Sequence, residues 1–427
     1  MSAPALAPAA PARLYGRYVL GVLLLVYTFN FLDRVVLGML VAPIKAELRL
    51  NDAELGLLGG TAFALFYTAL GIPVGRLADR LSRVRIMTVA LALWSAATAL
   101  CGLTHGFLTL FLGRLLVGVG EAGGVAPAYS LLADYFPPHS RARAIAVYSI
   151  GIPLGSSLGY FFGGYLAHGI GWRATFMALG IAGLALVPLL AATVREPVRG
   201  SGDPARAPVS FPPPWREVIA KLAAKPSFWL LALGAGCASL MGYGLLFWLP
   251  SFFIRSHGMA LPEVARWLGS QLLIGGSAGL LFGSYLADRF GPQKPAAYAV
   301  VPAVAFLAML PFYVLGTSLP VGALAYLCFL IPCALQLMWL GPLIAVTQQL
   351  VPPAMRALAS AIFLFINNLL GLGLGSWLLG LASDRLAVRF GSASLQYAIL
   401  GGCGFYLLAA ALLLLAAPRL ARDLEAA

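Results

Sequence analysis

The stretch Gly118-Val-Gly120-Glu121-Ala-Gly123 spells G-x-G-x-x-G and sets a carboxylate among glycines and aliphatics. In a dinucleotide-binding turn that spacing cradles a pyrophosphate, but the turn must follow a strand and open a helix. Arg114 stands seven residues before Glu121, two helical turns along nearly one face. A second pair of charges, Asp33 and Arg34, interrupts the apolar run "YTFNFLDRVVLGML". The other thirteen acidic and twenty-six basic residues fall in connections or at the ends of apolar runs. Two acids and two guanidiniums held out of water have three uses: exchanging protons, binding an anion, or locking helices together. Each costs at least ~2.5–3.5 kcal/mol within a membrane, so such groups pair and face a cavity.

The membrane follows from composition. Hydrophobic residues make up 61% of the 427 and charged residues 10%, with a mean hydropathy of +0.90. Water-soluble domains carry about 25% charged residues, and a helix of ~20 apolar residues spans a bilayer. Twelve such runs are present, near 17–41, 55–75, 86–104, 107–133, 143–167, 174–194, 227–250, 264–286, 296–316, 320–346, 357–381 and 395–417. They are too long and too uniform for strands, and their Gly and Pro are tolerated in packed membrane helices. The G-x-G-x-x-G lies midway along the fourth run, so the dinucleotide reading fails on context. The expected fold is an all-α polytopic membrane protein.

Cys101, Cys237, Cys328, Cys333 and Cys403 all lie in apolar runs without a C-x-x-C, as small core residues rather than a metal set. The four histidines sit in connections. Gly155-Ser-Ser157-Leu-Gly159 spells the hydrolase elbow, which needs a strand-to-helix turn and a histidine partner; here it lies inside an apolar helix. No enzyme activity, metal or cofactor is expected. The net charge of +13 is topological. With the N-terminus cytoplasmic, nineteen Lys and Arg fall on that side and seven on the other. The positive-inside rule then puts both termini in the cytoplasm, and nucleic-acid binding is not expected.

The runs divide into two sets of six. After the second comes "GRLADRLSR" and after the eighth "GSYLADRFG"; after the fourth comes "YFPPHSRARA" and after the tenth "LVPPAMRALA". Two matches at equivalent places imply two pseudo-symmetric six-helix bundles, as in many secondary transporters. The expected organisation is a disordered tail (1–16), a first bundle (17–194), a Pro-rich basic linker (195–226), a second bundle (227–417) and a short tail (418–427).

The run Gly75–Arg83 resembles the loop 2–3 motif of the major facilitator superfamily, with Ser82 where that motif usually has glycine. The resemblance covers nearly the whole chain and implies alternating access. Carboxylates at helix ends can face the positive N-terminus of an entering helix. Asp79 would thus face helix 11 near Arg356, and Asp288 would face helix 5 near Arg141. With Gly75, Arg80, Arg83 and Arg289 these form the expected cytoplasmic gate.

"NFLDRVVLGML", "ELGLLGGTAFALFYTALGIPVGRLADR" and "VGVGEAGGVAPAYSLLADYFPPHSRARA" resemble the Spinster branch, which transports lysolipids and sphingosine phosphates, with Phe31 where the branch often has tyrosine. The resemblance implies function for Asp33, Arg34 and Glu121. Depth along the helices places Asp33 and Arg114 nearly level, so a pair between them is sterically possible. Glu121 lies near the membrane middle, where a partly desolvated carboxyl is a candidate to gain and lose a proton. Asp33 and Glu121 are therefore the proton-coupling candidates. Arg34 and Arg114 are candidates for charge relay or an anionic head, and Tyr243, Trp248, Trp339 and Asn367 of the second half for the rest of the substrate. The expectation is a monomeric, proton-coupled transporter of a lysolipid-like amphiphilic anion in a bacterial inner membrane. Two alternatives stay open: a carrier of small organic anions or drugs, and a non-transporting lipid sensor.

Overall fold

The computed structural model describes residues 10–78, 80–201, 215–291, 293–352 and 355–425. Among these residues the apolar runs are helical, and the helices build twelve spans. The first half comprises Ala10–Leu48; then Asp52–Gly56, a π turn at Leu57–Thr61 and Ala62–Ala78; then Arg83–Cys101; then Phe107–Glu121 with Val125–Tyr135. Its last two spans run through Pro138–Ser149 and Gly151–Thr193, divided where Gly171 leaves the helix at φ 80°. The second half comprises Pro226–His257; then Leu261–Gln271, a π turn at Leu272–Gly276 and Ser277–Phe290; then Ala297–Ser318; then Ala323–Gln336 with Leu340–Gln349; then Arg356–Phe390; and finally Ser394–Gly402 with Gly404–Glu425. A short helix, Trp215–Ala223, buries Val218 and Leu222 between the halves in sequence. This is the all-helical architecture expected from the hydropathy pattern.

Local chemistry sets the ends. Asn51 and Glu54 form a reciprocal capping box at the start of span 2, and Ser82 accepts the Arg85 N–H at the start of span 3. Gly258 takes the left-handed conformation that closes span 7. Small residues let backbones touch. Gly155, Gly159 and Gly163 pack span 5 on span 1, Gly275, Gly279 and Gly283 pack span 8 on span 10, and Gly371 and Gly375 pack span 11 on span 7. The glycines around Glu121 serve the same end. A Cβ on Gly118 would strike the Phe63 carbonyl of span 2, and one on Gly120 would sit 2.6 Å from the Trp94 nitrogen of span 3.

Spans 4 and 10 break at matching places. The first part of span 4 ends at Glu121 and resumes at Val125, while span 10 ends its first part at Gln336 and resumes at Leu340. Glu121 and Gln336 each stand sixteen residues before a Pro-Pro, so the breaks fall at one register of the two halves.

The halves are joined unevenly. The face bearing Ala10, the Trp215–Ala223 helix and Glu425 is here called terminal, and the opposite face distal. Among the described residues, every hydrogen bond between the halves lies toward the distal side. Thr61 donates to the Gly373 carbonyl, Ser376 to Gly56, Ser157 to Gly269 and Tyr160 to Leu246. At the rim, Arg255 of span 7 grips Asp52 of span 2 with two bonds of 2.6 and 2.8 Å. Lys45 and Ser383 also donate to Asp52, and the Asp384 carboxylate caps the Asp52 and Ala53 N–H groups. The molecule is latched distally.

Candidate functional site

Adjacent residues on a helix point about 100° apart, and the Asp33–Arg34 dipeptide uses that difference. Asp33 points toward span 3, where its Oδ2 accepts from Thr98 at 3.1 Å. Arg34 points toward span 4 and donates from Nε to Glu121 Oε2 at 2.6 Å. The two side chains are 7% and 0% exposed, so this is a fully buried ion pair. Phe31, Phe63 and Tyr67 surround the guanidinium with ring centres 4.9, 5.0 and 4.5 Å from Arg34 Cζ. A desolvated cation gains most from such aromatic faces.

No ion pair joins Asp33 to Arg114 among the described residues. Arg114 instead approaches the Phe63 ring of span 2, with Cζ 5.9 Å from its centre. Depth alone placed Asp33 and Arg114 level, but level side chains need not meet, and these two do not close to an ion pair. The partner that Glu121 finds is Arg34, which the sequence reading left unpaired.

The cluster is under-satisfied. Asn30, Asp33 Oδ1, Arg34 Nη2, Arg114 Nε and Nη1, Glu121 Oε1, Thr68, Trp94 Nε1 and Ser95 are buried without a protein partner. Native interiors leave few such atoms, and each points to a water, an ion or a ligand. Two cavities supply the space. The smaller, about 480 Å³ with its open solvent included, is walled by Arg34, Arg114, Phe31, Phe63, Phe247 and Leu372 among others. The larger, about 940 Å³ with its open solvent included, is mostly apolar and lies largely in the second half, against Tyr313, Phe329, Cys333 and Gln336. Phe31, Tyr243 and Leu246 line both, so the cavities adjoin.

Pseudo-symmetry explains their contrast. Arg34 and Tyr243 both stand fourteen residues before the last residue of their helices, and Glu121 matches Gln336. Where the first half has an ion pair, the second sets the Gln336 amide beside Gly242, whose Cβ would lie 2.6 Å from Nε2. One wall is charged and the other neutral.

Of the remaining substrate candidates, Tyr243 and Trp339 line the large cavity, and Trp339 sits in the break of span 10. Asn367 is buried, accepts from Ser239 at 2.6 Å, and lines neither cavity. Trp248 also lines neither. It is fully buried against span 11, and its indole N–H donates to the Ser376 carbonyl at 2.7 Å.

Among the described residues, no terminal-face candidate makes a hydrogen bond or ion pair between the halves. Asp79 lies outside the described residues. Gly75 has the Ala126 methyl 4.0 Å from where its Cβ would be. Arg80, Asp288, Arg289 and Arg356 are exposed, and Arg141 donates to the Ala133 carbonyl of its own half. Arg83 is buried and ties the first half to itself, donating to Asp134 at 2.5 Å, Glu196 at 2.6 Å and Ser130 at 2.9 Å. Partial burial opposes ionisation of Glu196, yet the Val84 N–H, Arg83 and Ser82 hold its carboxyl below the ordinary range. The Asp52 latch was missed by sequence reasoning, which counted Asp52 as a loop charge. Its signal was the Asn51–Glu54 capping pattern, which fixes a helix start beside basic residues of the same face.

Comparison with known proteins agrees with the all-helical fold. Residues 23–376 match the Major Facilitator Superfamily model. The chain is 35% identical over 380 residues to an MFS-type efflux pump of Mycolicibacterium smegmatis, covering 89% of this chain and 87% of that one. It is 30% identical over 386 residues to human protein spinster homolog 1, covering 86% of this chain and 73% of the human one. It is also similar to the crystal structure of a bacterial homologue of the human lysosomal transporter Spinster, in an inward-facing and unoccupied conformation. There the TM-score is 0.86 and the identity 32%, covering 97% of this chain and 99% of that one. An all-helical, two-bundle chain with these relatives is a transporter, and it belongs to the major facilitator superfamily, in its Spinster branch.

Proposed function

We propose that this chain is a proton-coupled carrier of a lysolipid or similar single-tailed amphiphilic anion, working by rocker-switch alternating access. The observation that carries the reading is the adjoining pair of cavities. Arg34 and Arg114 bring unpartnered N–H groups to the smaller, and apolar and aromatic side chains line most of the larger. An anionic head attracted to the guanidiniums would leave its tail beside Tyr243 and Leu246, on the way into the larger space.

Glu121 accounts for the coupling. Its carboxylate holds Arg34 at one oxygen and leaves the other unpartnered. Protonation of Glu121 would free Arg34 for the anion, and deprotonation would recapture Arg34 and help expel the anion. Asp33, bonded to Thr98 in the same cluster, is the second candidate carboxylate. A second reading is a carrier of small organic anions or drugs that fill the smaller cavity, and the efflux-pump relative is consistent with export as its direction. With the basic excess taken as cytoplasmic, the terminal face is the inner one, the protein sits in the inner membrane as a monomer, and the distal latch corresponds to an inward-facing state.

The test is flux of labelled lysolipids in proteoliposomes under an imposed pH gradient, with Glu121→Gln beside the parent. Gradient-driven lysolipid flux in the parent and a gradient-blind Glu121→Gln support both halves of the reading. Lysolipid flux indifferent to gradient and substitution removes the coupling. Absence of lysolipid flux, with flux of small anions, replaces the substrate.

A further inference from the structure

Span 7 runs from the charged cavity to the distal rim, and three of its side chains touch something at each stage. Phe247 walls the smaller cavity beside Arg34 and Arg114. Its ring occupies the hollow left by Gly59, whose Cβ would come within 2.6 Å of the Phe247 Cζ. Gly59 belongs to the π turn of span 2, and π turns inside helices are frequent at functional sites. The next residue, Trp248, stands edge-on to Phe247 with ring centres 5.1 Å apart. Its N–H holds span 11 at the Ser376 carbonyl, and its ring lies 2.9 Å from the Cβ position of Gly380. Two turns on, Arg255 Cζ lies 5.6 Å from the Trp248 ring centre while its guanidinium grips Asp52.

We infer that Phe247, Trp248 and Arg255 couple occupancy of the charged cavity to the distal latch. Phe247 is the reporter: anything drawn to Arg34 and Arg114 competes with its ring for space. The ring is seated in the Gly59 hollow and stands edge-on to Trp248, so leaving that seat bears on Trp248. Trp248 is confined by Gly380 and by its bond to Ser376, so its movement loosens span 11 and the ring on which Arg255 rests. Arg255 then loses part of what aims it at Asp52. Trp248 is a positioning residue in this scheme, acting through Arg255. The inference concerns the cavity's link to the latch and rests on the proposed function only for the choice of a lysolipid probe below.

The test reads latch opening directly. Spin labels are placed at Ala46→Cys and Val388→Cys, both exposed on the distal face, after the five native cysteines are changed to alanine. Glu121→Gln perturbs the cavity without any ligand, by releasing Arg34 toward Phe247. Expected in the parent is a change of about fivefold or more in the ratio of long to short distances, the lower range of ordinary coupling between sites. In Trp248→Phe and in Phe247→Leu, Glu121→Gln changes that ratio less than about twofold. Asp52→Asn lengthens the distance in every background, showing that the latch still reports and the protein folds. A full response in Trp248→Phe, or none in the parent, overturns the inference. Lysophosphatidic acid is added in a second arm with its binding measured separately. If it does not bind the parent, the lysolipid reading falls while the Glu121→Gln comparison still decides the coupling.

Discussion

Arg34 on span 1 and Glu121 on span 4 meet at 2.6 Å with almost no exposure, and each keeps a polar atom without a partner. A pair used only to lock helices would be expected to satisfy both groups, because an unmet buried donor or acceptor costs about 1–3 kcal/mol. Here the Arg34 side of the pair lines the smaller cavity, while Glu121 lies behind it.

Removing one member of this pair is therefore worse than removing both. Arg34→Ala leaves a buried carboxylate alone, and Glu121→Ala leaves a buried guanidinium, each at a cost of about 3–5 kcal/mol. The double change Arg34→Met with Glu121→Leu recovers most of that loss, since apolar groups of similar volume replace a buried ion pair with little penalty. Thermal unfolding in detergent checks the order: both single variants melt well below the parent, and the double variant melts above either. Transport is lost in all three. A double variant that melts lowest would show that the pair is a net stabiliser of the bundle.

The latch predicts a different readout. Arg255 makes two charge-assisted bonds to Asp52, and a bond to a charged group is worth about 1.5–3 kcal/mol. Arg255→Gln should then raise the distally open population about tenfold or more. Ser376 is buried beneath the latch, so Ser376→Cys in the cysteine-free background is a reporter. A membrane-impermeant maleimide supplied from the distal face labels it slowly in the parent and faster by that factor after Arg255→Gln. Equal rates would mean that the glycine and serine contacts of spans 2 and 11 close this face without Arg255.

The Glu196 site predicts an acid-sensitive connection. Its carboxyl is held below the ordinary range by the Val84 N–H, Arg83 and Ser82. Its contribution is therefore complete above the unfolded value of about 4.3 and is lost as pH falls through the lower folded value. Limited proteolysis of the segment after Glu196 should accelerate below about pH 4 in the parent. Glu196→Gln should cleave faster at neutral pH and show a smaller acid response. An unchanged acid response in Glu196→Gln would assign it to another carboxylate.

Much of this was legible in the sequence, and the limits have a geometric cause. Twelve apolar runs and two repeated loop motifs define the bundles, because the bilayer dictates helix length and charge exclusion. The four membrane charges stand out for the same reason. Their pairing does not, since run position gives depth but not direction around the axis: Asp33 and Arg114 are level yet form no ion pair, while Arg34 reaches Glu121. Trp248 was read as a substrate contact because an aromatic in a span looks the same whether it faces a cavity or a neighbouring backbone. The Asp52 latch escaped because it joins spans 2, 7 and 11, which no local pattern connects.

The glycines around Glu121 give the sharpest test of that distinction between local pattern and packing. Gly120 faces the backbone of span 3, and an added methyl would lie 2.6 Å from the Trp94 nitrogen and 2.9 Å from its Cα. Neither atom is a flexible side-chain end, so a helix must shift. Gly120→Ala should therefore destabilise by about 1–3 kcal/mol or more, against the gain of a few tenths to 1 kcal/mol that the same change gives in an open helix. Gly71 and Gly21 have nothing within 4 Å of their Cβ positions, and Gly71→Ala or Gly21→Ala should be neutral or stabilising. Melting temperatures of the three variants decide it. If Gly120→Ala melts with Gly71→Ala, spans 3 and 4 are not in backbone contact, and the close approach that seats Glu121 against Arg34 has another cause.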